Sequence, residues 1–197
     1  MGVEYEWKFR AEPQMQEQLY HAAEGPWQQT AMETTYYDTP DGQLSALHCT
    51  LRRRMENGKS VCTVKTPLGD GGRGEWEVEE SSILEAIPRL CKLGGPEILL
   101  TLARKDITAV CGAKFTRRAC TLDMGTAVVE LALDQGVLMG GSREIPLCEI
   151  EIEWKGGRRE AAAAFAAARD TARMALAPRR DLLGVPSSSI IILSMAT

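Results

Sequence analysis

The sequence predicts an α+β fold: one large antiparallel sheet of about eight strands that curls toward a closed barrel, with helices packed outside it. Three observations lead there. Residues Val3 to Arg10 alternate apolar and charged side chains at every step, the period of a strand with one apolar and one ionic face. The same code recurs in at least five further segments, including Cys148-Glu149-Ile150-Glu151-Ile152-Glu153-Trp154. Asn57-Gly58 joins two of the segments as a strong hairpin signal, so neighbouring strands pair antiparallel. A sheet this large tends to curl or close, because closure removes exposed edges.

The elements follow in order. A helix is read over about 12–24 and a strand over 33–38, which ends in the turn-forming run Asp38-Thr39-Pro40-Asp41-Gly42. Strands over 48–55 and 60–66 flank the Asn57-Gly58 turn. Residues 67–74 hold four glycines and read as a hairpin loop, with a strand over 75–80 behind it. Helices over 82–93 and 97–105 are separated by Gly94-Gly95-Pro96. Strands over 113–122, 127–134 and 145–154 come next. The alanine-rich run 159–176 is a helix by intrinsic propensity, stopped by Pro178.

Composition narrows the function classes. A chain of 197 residues suits a single domain, 1–197. A net charge of −4 argues against general attraction to nucleic acid or membrane surfaces. A small-molecule partner and a monomer or homodimer are expected. No segment nears the roughly 20 apolar residues of a membrane span. The chain starts on a charged strand rather than an apolar leader, so a cytoplasmic location is expected. The six cysteines show irregular spacing and no C-x-x-C pair, so they are read as reduced and mostly buried. Only His21 and His48 are present, without ligand spacing, which weakens zinc-hydrolase and Ser-His-Asp readings.

The ionic faces carry the chemistry. If they point inward, the lumen holds Glu4, Glu6, Lys8, Arg10, Arg52, Arg54, Lys65, Arg73, Glu75, Glu77, Arg117, Glu130, Asp134, Glu149, Glu151 and Glu153. Removing such charges from water costs several kcal/mol each, so the cavity must be wet, internally paired or filled by an ionic ligand. Arginine forks match phosphate oxygens. The acids would repel a polyanion unless a divalent cation bridges them, and carboxylates without histidine or thiolate favour Mg²⁺ or Mn²⁺. Bases beside carboxylate-held metal suit phosphoryl transfer. The bland reading of Glu149, Glu151 and Glu153 is a solvated sheet face. Three adjacent same-face carboxylates repel one another, however, which favours a bound cation. Arg53 points the other way and is read as surface.

Several motifs now resemble the CYTH superfamily, the triphosphate tunnel metalloenzymes. Glu4-x-Glu6-x-Lys8 matches its E-x-E-x-K signature. Tyr36-Tyr37-Asp38-Thr39-Pro40, Leu51-Arg52-Arg53-Arg54, Thr63-Val64-Lys65-Thr66, Arg73-Gly74-Glu75-Trp76-Glu77, Ala132-Leu133-Asp134-Gln135-Gly136 and Glu149-Ile150-Glu151-Ile152-Glu153 follow the family pattern in order. The resemblance spans about 3–176. It implies an eight-stranded antiparallel tunnel that binds triphosphate groups with Mg²⁺ or Mn²⁺. It implies that Glu4, Glu6, Glu149 and Glu151 hold the metal, with Glu130 and Asp134 lining the tunnel close by. Lys8, Arg52, Arg54, Lys65 and Arg117 would grip phosphates, with Arg73 beside them. Glu75 or Glu77 would orient the attacking water or a second metal. The stretch nearest to the family's tunnel-closing segment is Arg179-Arg180-Asp181-Leu182-Leu183-Gly184, where Arg180 could replace its lysine but a leucine stands where its arginine should be. The implied activity is metal-dependent hydrolysis of a triphosphate, inorganic triphosphate first. A class IV adenylate cyclase, a thiamine or nucleoside triphosphatase, and a non-catalytic polyphosphate- or nucleotide-binding module are the alternatives.

Overall fold

The computed structural model describes residues 2–171. Pro178, Arg180 and the 179–184 segment lie outside the described residues. The elements are β1 (Gly2–Glu4), β2 (Glu6–Arg10), α1 (Pro13–Ala22), β3 (Gln28–Asp38), α2 (Gln43–Ala46), β4 (Thr50–Glu56), β5 (Lys59–Pro67), β6 (Arg73–Glu79), α3 (Ile83–Lys92), α4 (Ile98–Leu102), β7 (Thr108–Asp123), β8 (Ala127–Gly140), β9 (Arg143–Gly157) and α5 (Arg159–Thr171). No helix among the described residues is long and apolar enough to cross a membrane.

The nine strands form one antiparallel sheet in the order β1-β6-β5-β4-β3-β7-β8-β9-β2. Its two ends, β1 and β2, are separated in sequence only by Tyr5, so the first strand of the chain brings both edges of the sheet together. Glu4 lies opposite Arg73 of β6, while Glu6 lies opposite Glu153 of β9. This is why nine strands appear where eight were expected. The octet 3–10 is one strand in side-chain alternation and two in hydrogen bonding. At the switch point the Tyr5 carbonyl accepts a bond from Trp154 N at 2.9 Å, and the two rings meet edge-on at 5.8 Å. Bulges between Tyr36 and Tyr37 and between Val128 and Val129 add the local bend that curvature requires.

Strand bounds differ from the expected ones mainly by length. β3 begins at Gln28 and β7 at Thr108, and β8 runs on to Gly140. Those extensions are uncharged or irregular in hydropathy, so a period-2 signal does not mark them. The short helix α2 follows from Asp38 rather than from any helical pattern. The Asp38 carboxylate is 1% exposed and accepts bonds from the backbone N–H of Thr39, Leu44 and Ser45 and from the Ser45 hydroxyl. A buried carboxylate is tolerated only with such saturation. The Asp-Thr-Pro motif is thus a structural clasp on the outside of the sheet.

Two apolar clusters cover the outer wall. Leu51, Cys62, Val64 and Trp76 of the sheet pack under Ile83, Ile87 and Leu90 of α3 and Leu99 and Leu102 of α4. Ser82 caps α3, its hydroxyl accepting from Glu85 N at 3.4 Å. Phe9, Leu131, Leu133, Ile150 and Ile152 pack under Leu19 of α1 and Ala162 and Ala166 of α5. Each fully buried Leu or Ile contributes about 1.5–3 kcal/mol of burial free energy. Covering the apolar face from outside leaves the ionic face to the interior. The six cysteines are free, four of them buried.

Gly136 marks the tightest approach in the sheet. A Cβ there would lie 2.1 Å from the Lys114 carbonyl oxygen and 2.5 Å from the Phe115 Cα. Both are backbone atoms of β7, so only a shift of a whole strand could make room. Gly136→Ala is expected to lower unfolding free energy by about 2 kcal/mol or more, read from urea denaturation. Gly2→Ala, with nothing within 4 Å of its Cβ, should change it by less than about 0.5 kcal/mol. Equal effects would contradict this packing account.

Candidate active site

The closed sheet surrounds a cavity of about 300 Å³. Its wall takes even-numbered residues from β1 to β4 and from β8, and odd-numbered residues from β5 to β7 and from β9. The acids on it are Glu4, Glu6, Glu56, Glu75, Glu77, Glu130, Asp134, Glu149, Glu151 and Glu153; the bases are Lys8, Arg52, Arg54, Lys65, Arg117 and Lys155. Ten carboxylates against six cations leave an excess of four formal negative charges. The period-2 pattern therefore converges on one chamber. Of the residues expected there, Arg73 instead donates to the Thr50 hydroxyl at 2.8 Å and is not part of the cavity wall, and Arg10 is exposed at the end of β2. Arg180 is outside the described residues.

The charges are arranged in interlocking pairs. Lys65 Nζ donates to Glu4 at 2.6 Å and lies 3.3 Å from Glu75. Lys8 Nζ donates to Glu151 at 2.7 Å and lies 3.3 Å from Glu6. Arg117 places Nε and Nη2 on the two oxygens of Asp134, at 2.8 and 2.6 Å, and Nη2 also reaches Glu151. Burial works to lower Lys8 and Arg117, but the neighbouring carboxylates outweigh it and hold both well above their ordinary values. Of the two acids that share Arg117, Glu151 keeps its charge: burial opposes it, but Lys8 and Arg117 together hold it far below the carboxylate range. Asp134 is pushed up to about 6, by burial first and then by the Glu151 charge, which together outweigh Arg117 and Lys8.

The β4 side of the chamber is different. Arg52 comes no closer than 3.9 Å to the Glu75 carboxylate, and Arg54 reaches Glu56 at 3.2 Å. The Nε of each is buried and makes no hydrogen bond. Arg54 is lowered from the ordinary arginine value by burial first and then by the Arg52 charge, with Arg117 adding to it and Glu56 opposing. Burial lowers Arg52 as well, but Tyr36, Glu75, Glu4 and Glu77 outweigh it and raise it from the ordinary value, while the unused donors of both guanidinium groups have the chemistry that suits an anion. On the adjoining wall, Glu77 accepts from the Thr63 hydroxyl at 2.8 Å.

Every acidic donor in the chamber is a carboxylate, neither histidine lines it, and acids exceed bases, which fits a hard divalent cation. As they sit, however, no three of the described acids form a ready coordination shell, because Glu4 is engaged by Lys65 and Glu151 by Lys8 and Arg117. The chemistry fits; those two pairs must loosen for Glu4 and Glu151 to become ligands.

The chamber wall also holds residues that the sequence did not place in the lumen. Gln28, Thr30, Thr34 and Tyr36 of β3 line it, as do Met32, Ala113, Phe115, Leu138 and Leu147. Leu138, Leu147, Ala113 and Phe115 pack together as a small apolar cluster. Glu56 continues the parity of Arg52 and Arg54 and was legible from that. The β3 residues are uncharged, so nothing marked their inner face.

A closed antiparallel tunnel, apolar outside and ionic inside, with unused arginine donors along β4, is the class of protein that the fold defines. The chain belongs to the CYTH domain family, whose model matches residues 2–182. An inorganic triphosphatase of Haemophilus influenzae is 30% identical over 125 residues, 62% of this chain; the chain spans 36% of that relative's length. Solved structures share the fold at lower identity. A candidate adenylate cyclase of Bacillus halodurans is 18% identical with a TM-score of 0.58, covering 93% of this chain and 97% of its own. A Pyrococcus horikoshii protein is 22% identical with a TM-score of 0.56 and coverages of 92% and 96%. A Hippeastrum protein, a candidate adenylyl cyclase with a dominant triphosphatase activity, is 18% identical with a TM-score of 0.53, covering 89% of each chain.

The Asp134 environment yields a signed pH effect. Its folded value of about 6 lies above the ordinary Asp value of about 3.9, so the folded state binds the proton more tightly. Its contribution to stability is therefore fully present below about pH 4 and is lost as pH rises through about 6. Asp134→Asn removes that loss. The destabilisation of the variant relative to wild type should shrink as pH rises from 4.5 to 7, measured by urea unfolding. A difference that is flat or grows with pH would contradict the assignment.

Proposed function

We propose that this chain hydrolyses a triphosphate in a metal-dependent reaction, with inorganic triphosphate as the preferred substrate and Mg²⁺ or Mn²⁺ as the cofactor. The observation that carries the reading is the Arg52–Arg54 wall with its unbonded Nε donors, where burial and then the Arg52 and Arg117 charges lower Arg54, facing a carboxylate-rich wall inside one cavity. A compact polyanion satisfies the spare arginine donors. The acid excess would repel it unless a divalent cation is bound with it. The named activity of the Haemophilus influenzae relative supports the same reading.

The roles follow from position. Arg52, Arg54 and Arg117 bind non-bridging phosphate oxygens through guanidinium forks, and Lys65 and Lys8 turn from their carboxylate partners toward the phosphate chain. Preset donors lose little to reorganisation when charge redistributes over the transferred group, which is how such sites lower barriers. Glu75, beside Lys65, or Glu77, held by Thr63, orients the attacking water. Glu4, Glu6, Glu149 and Glu151 are the acids that would hold the cation, with Glu130 and Asp134 next to them. When bound, the cation supplies neutralisation of the phosphoryl oxygens.

A second reading, an organic triphosphate such as ATP or thiamine triphosphate, is favoured by one feature. Phe115, Leu138 and Leu147 make part of the wall apolar, which an inorganic chain does not need. Phosphate release from tripolyphosphate, ATP and thiamine triphosphate, each with Mg²⁺ or Mn²⁺, discriminates. Tripolyphosphate turnover should dominate and should fall about 10²- to 10³-fold in Lys65→Ala and Arg54→Ala. With ATP, cyclic AMP and pyrophosphate would identify a cyclase, and ADP with phosphate a hydrolase. Tight tripolyphosphate binding with no turnover under either metal would overturn the proposal in favour of a binding module.

A further inference from the structure

Gln16 of α1 is 0% exposed, yet it lies on the outer wall of the barrel, among apolar side chains. Its Nε2 donates to two main-chain carbonyls, that of Asp134 at 2.9 Å and that of Glu149 at 2.8 Å. Asp134 and Glu149 face each other across the β8–β9 ladder, and both side chains point into the chamber. The Gln16 Oε1 is buried without a hydrogen bond. A buried orphan acceptor is unfavourable, and an apolar side chain would avoid it. The amide is thus retained for its two donors, which act on the backbone of two chamber acids.

We infer that Gln16 is a positioning residue for the chamber: by holding the Asp134 and Glu149 carbonyls from outside, it sets where Asp134 presents its carboxylate to Arg117. The chain of contacts is continuous. Gln16 fixes the Asp134 backbone, Asp134 takes Arg117 in a two-point bond, and Arg117 meets Glu151, which also holds Lys8. Each link joins side chains with little rotational freedom once paired. Displacements near 1 Å in such groups are costly to phosphoryl transfer. The effect on turnover rests on the proposed triphosphatase reading; the effect on Arg117 does not.

The test uses the whole chain and Gln16→Met, which keeps length and removes both donors. Leu19→Ala, a buried change on the same helix, is the packing control. Without ligand, hydrogen exchange of the Arg117 Nε–H, followed by NMR, should speed about tenfold in Q16M and stay within about threefold of wild type in L19A. With tripolyphosphate and Mg²⁺, Q16M should lose about tenfold in kcat with KM within about threefold. Wild-type protein supplies a measurement that needs no variant. Couplings across the hydrogen bonds should link Gln16 Nε2 to the Asp134 and Glu149 carbonyl carbons, and the Gln16 side-chain resonances should shift on tripolyphosphate binding while those of exposed Gln14 do not. Unchanged Arg117 exchange in Q16M, equal changes in L19A, or missing couplings would overturn the inference. Altered Arg117 exchange with no turnover in any variant or in wild type would leave Gln16 in its role and remove only the triphosphatase reading.

Discussion

The closure of the sheet by residues 2–10 is the constraint on which everything else depends. One strand changes partner at Tyr5 and holds two sheet edges at once, β6 through β1 and β9 through β2. Ion pairs sit on both sides of that seam: Glu4 with Lys65 of β5, and Lys8 with Glu151 of β9. Without closure, the ionic faces would be an ordinary solvated sheet surface, where charge pairs contribute little. With it, the same side chains share a confined space, and their energetics change in kind.

Confinement explains why the chamber is both paired and poised. Desolvation would drive single buried charges neutral, so most charges in it are interlocked. The exceptions lie along β4, where Arg52 and Arg54 keep unused donors. Two opposed demands thus meet: cations that call for an anion, and an acid excess that rejects one. A polyanion bound together with a divalent cation satisfies both. The apolar clusters outside make this tenable, since helices α1, α3, α4 and α5 keep the other face of the sheet dry.

Much of this was legible because charged strands write their facing directly into sequence. The alternation in 3–10, 73–79 and 147–155 placed Glu4, Glu6, Lys8, Glu75, Glu77, Glu149 and Glu151 on one face, and they do share one chamber. Partner choice was not legible. Alternation is indifferent to which strand lies alongside, so the break at Tyr5 and the ninth strand left no mark. Uncharged β3 residues such as Thr34 and Tyr36 carried no polarity contrast. Arg73 has the correct parity but sits at the start of β6, where the chamber wall has ended. Gln16 was invisible for a different reason: its role is to hold backbone atoms from a neighbouring helix, and no spacing encodes that.

The most direct measurement is a crystal structure of the chain with tripolyphosphate and Mn²⁺, using anomalous scattering to place manganese and phosphorus. The account predicts phosphate oxygens within hydrogen-bonding distance of Arg54 and Lys65 inside the barrel, with manganese against carboxylates of β1, β2 or β9. Tripolyphosphate bound on the outer surface, with the interior ion pairs of Lys65 and Lys8 undisturbed at saturating ligand, would contradict it.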